Sequence, residues 1–126
     1  MSLHVTQKQY LLGEMFSKDA LRLARAIHNT YIEDKQDLYM EIHLETLISL
    51  FDISHGEHGV RYLRKLFQEI NEPISVKNFK FYGEEYKLRF MQFCKYEIKE
   101  DIVIIELNEE FLLAEKEYMI DKFLTH

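Results

Sequence analysis

The sequence has few of the residues that build covalent or cofactor-binding frameworks. Its 126 residues include one cysteine, Cys94, one proline, Pro73, and four scattered glycines. A single cysteine excludes an intramolecular disulfide, and scattered glycines exclude a Gly-rich phosphate loop or a Gly-x-Ser-x-Gly nucleophile elbow. The chain also lacks a signal peptide and any apolar run approaching about 18 residues, so we expect a cytoplasmic protein with no membrane partner.

The residues that are abundant are those of a globular domain. Hydrophobic residues make up 47% of the chain and charged residues 30%, with eight tyrosines and nine phenylalanines. This composition supplies enough apolar surface for a core and gives no indication of disorder. Because 126 residues is a common domain size, we expect a single domain over residues 1–126.

No cluster of residues in the sequence points to catalysis. His55 and His58 stand three residues apart and could join Cys94 at a zinc ion. A structural zinc site needs four N or S ligands, however, and neither a second cysteine pair nor a His-Glu-x-x-His pattern is present. Acidic pairs at 84–85 and 109–110 are explained by a turn and by the start of a helix. We therefore expect no enzyme, no metal site and no cofactor.

Charge is distributed unevenly along the chain. The net charge of -6 repels a polyanion such as DNA at long range. Residues 57–100 carry nine Lys and Arg against seven Asp and Glu, whereas residues 1–56 and 101–126 are both net negative. Contacts with nucleic acid are therefore expected from this middle stretch.

Apolar residues at helical spacing predict helices in the first part of the chain. They cover residues 6–16, 17–31, 44–51 and 54–70, with a short strand at 40–44. Ser17 is the predicted N-cap of the second of these helices. Ser54 and Glu57 have the spacing of a capping box, which predicts that the last one begins at Ser54.

Beyond Pro73 the period of the apolar residues changes from about 3.6 to 2, which predicts strands. The strands cover residues 74–82, 86–90 and 102–107, joined by turns at 83–85 and 99–101. The step between the apolar residues Val76 and Phe79 predicts a bulge near Asn78. Asn108 is the predicted N-cap of a final helix.

This order of elements predicts an α+β fold of the winged helix-turn-helix type, with a long antiparallel β-hairpin or meander and a C-terminal helix. The residues that support it are 42–51, 59–71 with 74–76, and 102–111. In these segments the sequence resembles the first winged-helix domain of plasmid replication initiator proteins of the RepB and RepE type. The resemblance covers roughly residues 17–124.

The resemblance implies a function in DNA replication. Members of that family bind iteron DNA at a plasmid origin and help to load host replication proteins, and their first domain commonly also serves dimerisation. The expected partners are therefore double-stranded DNA, a second copy of the chain and host replication proteins.

The helix predicted at 54–70 carries the candidate DNA-reading residues. Arg61, Arg64, Lys65 and Gln68 occur at i, i+3, i+4 and i+7, opposite the apolar stripe. Arg can make bidentate contacts to guanine, Gln can pair with adenine, and Lys can neutralise phosphates, as a helix in a major groove requires. The alternative is an ordinary solvated helix face.

The predicted hairpin carries further candidate DNA contacts. Lys77 and Lys80 on one strand, with Lys87 and Arg89 on the other, are expected to share a basic face that contacts phosphates. Basic residues on edge strands also serve simply to prevent aggregation.

A second hypothesis is a noncatalytic winged-helix module for protein interaction or dimerisation. It is motivated by the charge of -6 and by the length of the chain, which has space for one winged helix where initiators usually have two. Aromatic residues on the acidic C-terminal helix are candidates for such an interface.

Overall fold

The computed structural model of the protein describes residues 16–53, residues 56–119 and residue 124. The fold is mixed α+β, with antiparallel sheets. Its elements are α1 (Lys18–Glu33), β1 (Tyr39–His43), α2 (Leu44–Ile48), α3 (Glu57–Ile70), β2 (Ile74–Phe81), β3 (Glu84–Met91), β4 (Cys94–Lys99), β5 (Ile102–Leu107) and α4 (Glu109–Tyr118). The helix predicted at 6–16 lies almost wholly outside the described residues. Within them, no helix is long and apolar enough to cross a membrane.

Helix α1 forms where its cap and apolar spacing predict it. The Ser17 side chain accepts a hydrogen bond from the Ala20 N–H, which satisfies one free donor of the first turn. Ala20, Leu23 and Ile27 are completely buried, so one stripe of the helix faces the core. The Ser17 N–H and hydroxyl also donate to the Glu69 carboxylate, which ties the start of α1 to α3.

Strand β5 is the centre of a three-stranded sheet with the order β1-β5-β4. Its alternate residues Val103, Ile105 and Leu107 are buried, as expected for a strand with one face on the core. Both neighbours are antiparallel to it, and the turn predicted at 99–101 joins β4 to β5. Strand β4 was not predicted as a separate element.

Strands β2 and β3 form a two-stranded sheet of their own. They are joined at Tyr82 and Gly83, which both have positive φ, as the favoured two-residue hairpin turns require. The predicted antiparallel hairpin is confirmed, but it does not continue as a meander, because β3 ends at Met91 and pairs with neither β4 nor β5. Phe93 breaks the strand there: its ring is buried against Phe111, and its carbonyl accepts from the Asn108 N–H.

Asn78 interrupts the pairing of this hairpin without shifting it. Its φ is 52°, in the left-handed region that Asn tolerates better than most residues. The pairing skips Asn78 and Lys87, one residue on each strand, so the register is the same on both sides. The predicted bulge with an extra residue is therefore wrong. The turn of the backbone at Asn78 instead allows both Val76 and Phe79 to be buried.

Helix α3 begins later than its sequence pattern indicates. It starts at Glu57 with Gly56 as N-cap, at a φ of 87° that favours glycine, so the predicted start at Ser54 is wrong. Ser54 itself lies outside the described residues. The predicted apolar face is confirmed, because Leu63, Leu66 and Phe67 are buried.

Helix α4 closes the core behind the hairpin. The Asn108 side chain accepts from the Glu110 N–H, which confirms the predicted cap. Phe111 and Ala114 are buried, and the Tyr118 hydroxyl accepts a hydrogen bond from the Lys80 N–H of β2. The helix therefore holds one strand of the hairpin directly.

A polar junction centred on buried Asn71 joins the end of α3 to the base of the hairpin and to β4. The Asn71 amide donates to the Phe67 carbonyl at 3.0 Å, and its oxygen accepts from the Cys94 N–H at 2.8 Å. The Gln92 amide donates to the Asn71 carbonyl, and the Asn108 amide donates to the Gln92 carbonyl. Burial raises the pKa of the Cys94 thiol to about 12, so this cysteine is a core residue and not a reactive thiolate.

Candidate nucleic-acid interface

The outer face of α3 carries the four residues predicted to read DNA. Arg61, Arg64, Lys65 and Gln68 are all exposed, on the side opposite the buried Leu63, Leu66 and Phe67. No ion pair involves any of the three cations within the described part of the chain. The charges on this face, which we call the α3 outer face, are therefore available to a ligand.

Helix α2 precedes α3 and is fixed to the three-stranded sheet. Its first residue, Leu44, follows β1 without a gap, and the Leu44 N–H donates to the Asp101 carbonyl at 2.8 Å. Leu44, Leu47 and Ile48 are buried. The turn between β4 and β5 is thereby held beside α2.

The first half of the α3 outer face borders a groove of about 550 Å³. Leu44, Ile48 and Val60 supply its apolar lining, and Arg61 and Arg64 belong to the same groove. Its acidic residues are Glu45 of α2, Glu57 of α3, and Glu100 and Asp101 of the turn between β4 and β5. The two arginines are therefore partly offset by carboxylates, while Lys65 and Gln68 lie outside the groove.

Arg89 does not belong to a basic face of the hairpin, and the prediction that it does is wrong. It is opposite Val76, which is buried, whereas Lys77 is opposite Leu88 and lies on the other side of the sheet. Arg89 makes a bidentate pair with Glu110, with its Nε 2.8 Å from Oε2 and its Nη2 2.9 Å from Oε1. These hydrogen bonds and the Glu110 charge raise the pKa of Arg89.

The other cations of the hairpin differ in their surroundings. Lys80 pairs with Glu85 across the strands at 3.2 Å, and both side chains are largely exposed, so the pair adds little stability. Lys87 is exposed at the interruption opposite Asn78. The four predicted phosphate contacts of the hairpin are therefore not assembled into a single surface.

Two features of the site were missed from the sequence. Tyr62, beside Arg61 on α3, donates a hydrogen bond to Asp19 of α1, and this bond raises the pKa of the tyrosine. Leu88 and Phe90 of β3 are 50% and 65% exposed. Alternation indicates which residues share a side of a strand, but not which side is covered.

The structure gives no support to zinc binding by His58 and Cys94. His58 is exposed and Cys94 is buried, and His55 lies outside the described residues. Among the residues that the structure places, no group of three or more His, Cys, Asp or Glu side chains is arranged to hold a metal ion.

A second cavity lies between α1, α4 and the hairpin turn, with a volume of about 700 Å³. Half-buried His28 and buried Glu115 belong to its lining. Burial lowers the pKa of His28, and the Glu115 charge opposes this in part. The Glu115 carboxylate accepts a hydrogen bond from the Leu124 N–H at 3.0 Å. This hydrogen bond gives the buried carboxylate a partner within the protein.

Comparison with known proteins adds no relative to this description: no family model, no curated protein and no solved structure matches the chain. The resemblance to plasmid replication initiators therefore stays a prediction from the sequence.

Proposed function

We propose that this protein is a noncatalytic DNA-binding domain of the winged-helix type, which recognises origin DNA in the manner of a plasmid replication initiator. The observation that carries the proposal is the α3 outer face, where Arg61, Arg64, Lys65 and Gln68 are exposed together without internal ion pairs among the described residues. These are side chains that contact base edges and phosphates in a major groove.

The order of the elements supports the winged-helix assignment. A helix, a strand and two helices, α1, β1, α2 and α3, precede the strands that complete the sheet β1-β5-β4. In this assignment α3 is the recognition helix and the turn at 100–101 takes the position of the wing. The β2–β3 hairpin is then an insertion between the recognition helix and the wing, and not the wing itself.

The acidic residues of the groove set the expected strength of binding. Glu100 and Asp101 occupy the wing position, where DNA-binding domains usually place cations against phosphates. The protein as a whole also repels DNA, with a net charge of -6. We therefore expect modest affinity that depends strongly on the α3 outer face and falls steeply with salt.

The test is a salt titration of binding to iteron-like and random duplexes, followed by fluorescence anisotropy. The double substitution Arg61→Ala with Arg64→Ala should weaken binding at least about tenfold, since each base contact contributes about 1–3 kcal/mol. The matched control, Lys18→Ala with Lys35→Ala, removes the same charge from exposed positions outside α3 and the hairpin and should change affinity less than about threefold. Binding that survives the arginine substitutions, or no binding even at low salt, would refute the proposal.

A second candidate is an interaction module on the same fold. It is favoured by the groove beside α2, whose apolar lining is bordered by both Arg61 and Arg64 and by carboxylates. Such mixed charge around an apolar centre is typical of protein interfaces and unfavourable for DNA. For this candidate we expect a stable complex between protein chains and no binding to duplex DNA. Replacing Arg61 and Arg64 by alanine should not change the affinity between the chains.

A further inference from the structure

The cavity between α1, α4 and the hairpin turn, which we call the α1–α4 cavity, has aromatic rings on two of its three sides. Its volume of about 700 Å³ is in the range of small-molecule sites. Helix α1 contributes His28 and Tyr31, with ring centroids 5.8 Å apart, and the hairpin contributes Phe81 and Tyr82. The third side is α4, which adds leucines and carboxylates. An apolar cavity with a few polar groups at its border is typical of a ligand site.

A buried carboxylate borders this cavity and can accept more hydrogen bonds than it has. Glu115 is 2% exposed, and its Oε2 accepts the Leu124 N–H at 3.0 Å. Across residues 16–53, 56–119 and 124, this side chain has no second hydrogen bond and no ion pair. A carboxylate offers about four acceptor positions, and a buried charge is stabilised by a counter-charge beside it. A cation in the cavity would supply both.

The other charged groups of the lining also favour a cation over an anion. Glu109 adds a second carboxylate, and Lys116 is exposed, so water screens its charge. Burial lowers the pKa of His28, so its imidazole is uncharged at neutral pH and offers a hydrogen bond without repelling a cation. An anion in the same place would meet the carboxylates of both Glu109 and Glu115.

The aromatic rings indicate that the cation is organic. The rings of Phe81 and Tyr82 have centroids 4.5 Å apart and are tilted by 55°, and the face of such a ring attracts an ammonium group. The Tyr82 hydroxyl donates to Glu109 at 2.7 Å, which holds a ring and a carboxylate side by side. In contrast, the described residues nowhere bring together three His, Cys, Asp or Glu side chains that could hold a metal ion.

Two residues of the lining have backbone conformations that side chains rarely adopt. Gln36, after the end of α1, has a φ of 61°, and Tyr82 has a φ of 49°. Strained conformations of this kind occur preferentially at ligand sites. The Tyr82 side chain is also 79% exposed, so few contacts within the described structure offset the strain. A ligand against the ring would add such contacts.

We propose that the α1–α4 cavity binds a small organic cation, an ammonium group carried on an apolar body. The ammonium group lies near Glu115 and Glu109, and the apolar body lies against the leucines of α4 and the rings of the hairpin. This site does not use the α3 outer face, so its test is independent of DNA binding.

Phenethylamine is the probe, because it carries a primary ammonium group on an aromatic body. Hydrocinnamate and phenethyl alcohol have the same body with a carboxylate or a neutral hydroxyl in place of the ammonium group. Each is titrated into the ¹⁵N-labelled full chain and followed by amide chemical shifts. Phenethylamine should bind with a millimolar Kd, as expected for so small a molecule, and shift amides of α4 and the end of α1. The two analogues should bind at least about fivefold more weakly.

Substitutions with matched controls locate the site. Glu115→Gln keeps an acceptor for the Leu124 N–H but removes the charge, so it should weaken phenethylamine binding at least about fivefold. Glu117→Gln makes the same change at an exposed position of α4 outside the cavity lining and should have no effect. Tyr82→Leu removes a ring and should weaken binding at least about twofold, whereas Tyr39→Leu, on 47% exposed Tyr39 of β1, should not. Circular dichroism establishes that each variant is folded.

Three results would overturn the proposal. The first is the absence of shifts at the cavity up to the solubility limit of phenethylamine, or shifts confined to another groove. The second is hydrocinnamate binding as tightly as phenethylamine, which would make the cavity a site for apolar bodies of any charge. The third is an equal loss of affinity in Glu115→Gln and Glu117→Gln, which would mean that only the net charge of the protein attracts the amine.

Discussion

The α3 outer face and the β2–β3 hairpin carry similar cations in different surroundings. On α3, the side chains of Arg61, Arg64 and Lys65 extend into solvent from a helix whose other side is buried. On the hairpin, Arg89 is held by Glu110 and Lys80 by Glu85. The cations of the α3 outer face thus have no ion pair among the described residues, whereas two of the four hairpin cations are engaged within the protein. A basic residue indicates a binding surface only when its neighbours are known.

The largest expected effect concerns the anchoring of α3. Phe67 is completely buried and stacks on Tyr96 with ring centroids 4.4 Å apart. Phe67→Ala should lower the free energy of unfolding by about 3–5 kcal/mol, because it leaves a cavity in the core. Gln68→Ala, on the exposed side, should change it by less than about 0.5 kcal/mol. Urea unfolding of both variants checks this. If the two substitutions lower the free energy of unfolding equally, the two sides of α3 do not differ in burial.

The next effect concerns the hairpin. Asn78→Val should destabilise the protein by about 1–2 kcal/mol, because a β-branched residue is strained at the φ of 52°. Asn78→Gly should be tolerated, since glycine adopts positive φ readily. Thermal unfolding compares them. If the two variants unfold at the same temperature, the hairpin does not require a residue that tolerates positive φ at position 78.

Cys94, where α3 and the hairpin meet, predicts a dependence on pH. Its pKa is about 12 in the folded protein against 9.0 for an unperturbed thiol, so the unfolded chain loses this proton first. Stability should therefore be unaffected below about pH 9 and decrease above it, by about 1.4 kcal/mol between pH 8 and pH 10. The difference between the unaltered protein and Cys94→Ala, measured by urea unfolding at each pH, isolates this effect from that of the tyrosines. A constant difference would contradict the burial of the thiol.

The smallest effect tests the acidic border of the α3 outer face. Glu100→Lys with Asp101→Lys should raise DNA affinity about fivefold at low salt and steepen the dependence of log K on log salt. The control, Glu33→Lys with Asp34→Lys at the exposed end of α1, makes the same change in net charge. If both pairs raise affinity equally, only net charge matters, and the turn at 100–101 is not beside the DNA.

Much of the helical structure could be predicted from the sequence because local signals agree with the packing. The Ser17 and Asn108 caps and the apolar stripe of α3 are set by residues within one or two turns of each other. The predicted start at Ser54 was wrong because α3 begins after Gly56, whose positive φ the capping-box pattern does not take into account.

The sheet was harder to predict because its pairing is not local. Residues 94–99 continue the alternation of β3, yet they pair with β5, since buried Phe93 turns the chain between the two strands. The exposure of the α3 residues followed from helical periodicity. The pairing of Arg89 with Glu110 did not, because these two residues are 21 positions apart.

The junction at Asn71 determines how freely α3 and the hairpin can move relative to each other. Its hydrogen bonds to Phe67 and Cys94, and those of Gln92 and Asn108, fix the end of α3 to the base of the hairpin with directional contacts on several sides. In the proposed function, a duplex bound to α3 would therefore lie at one fixed angle to the hairpin, because the helix and the hairpin cannot turn independently.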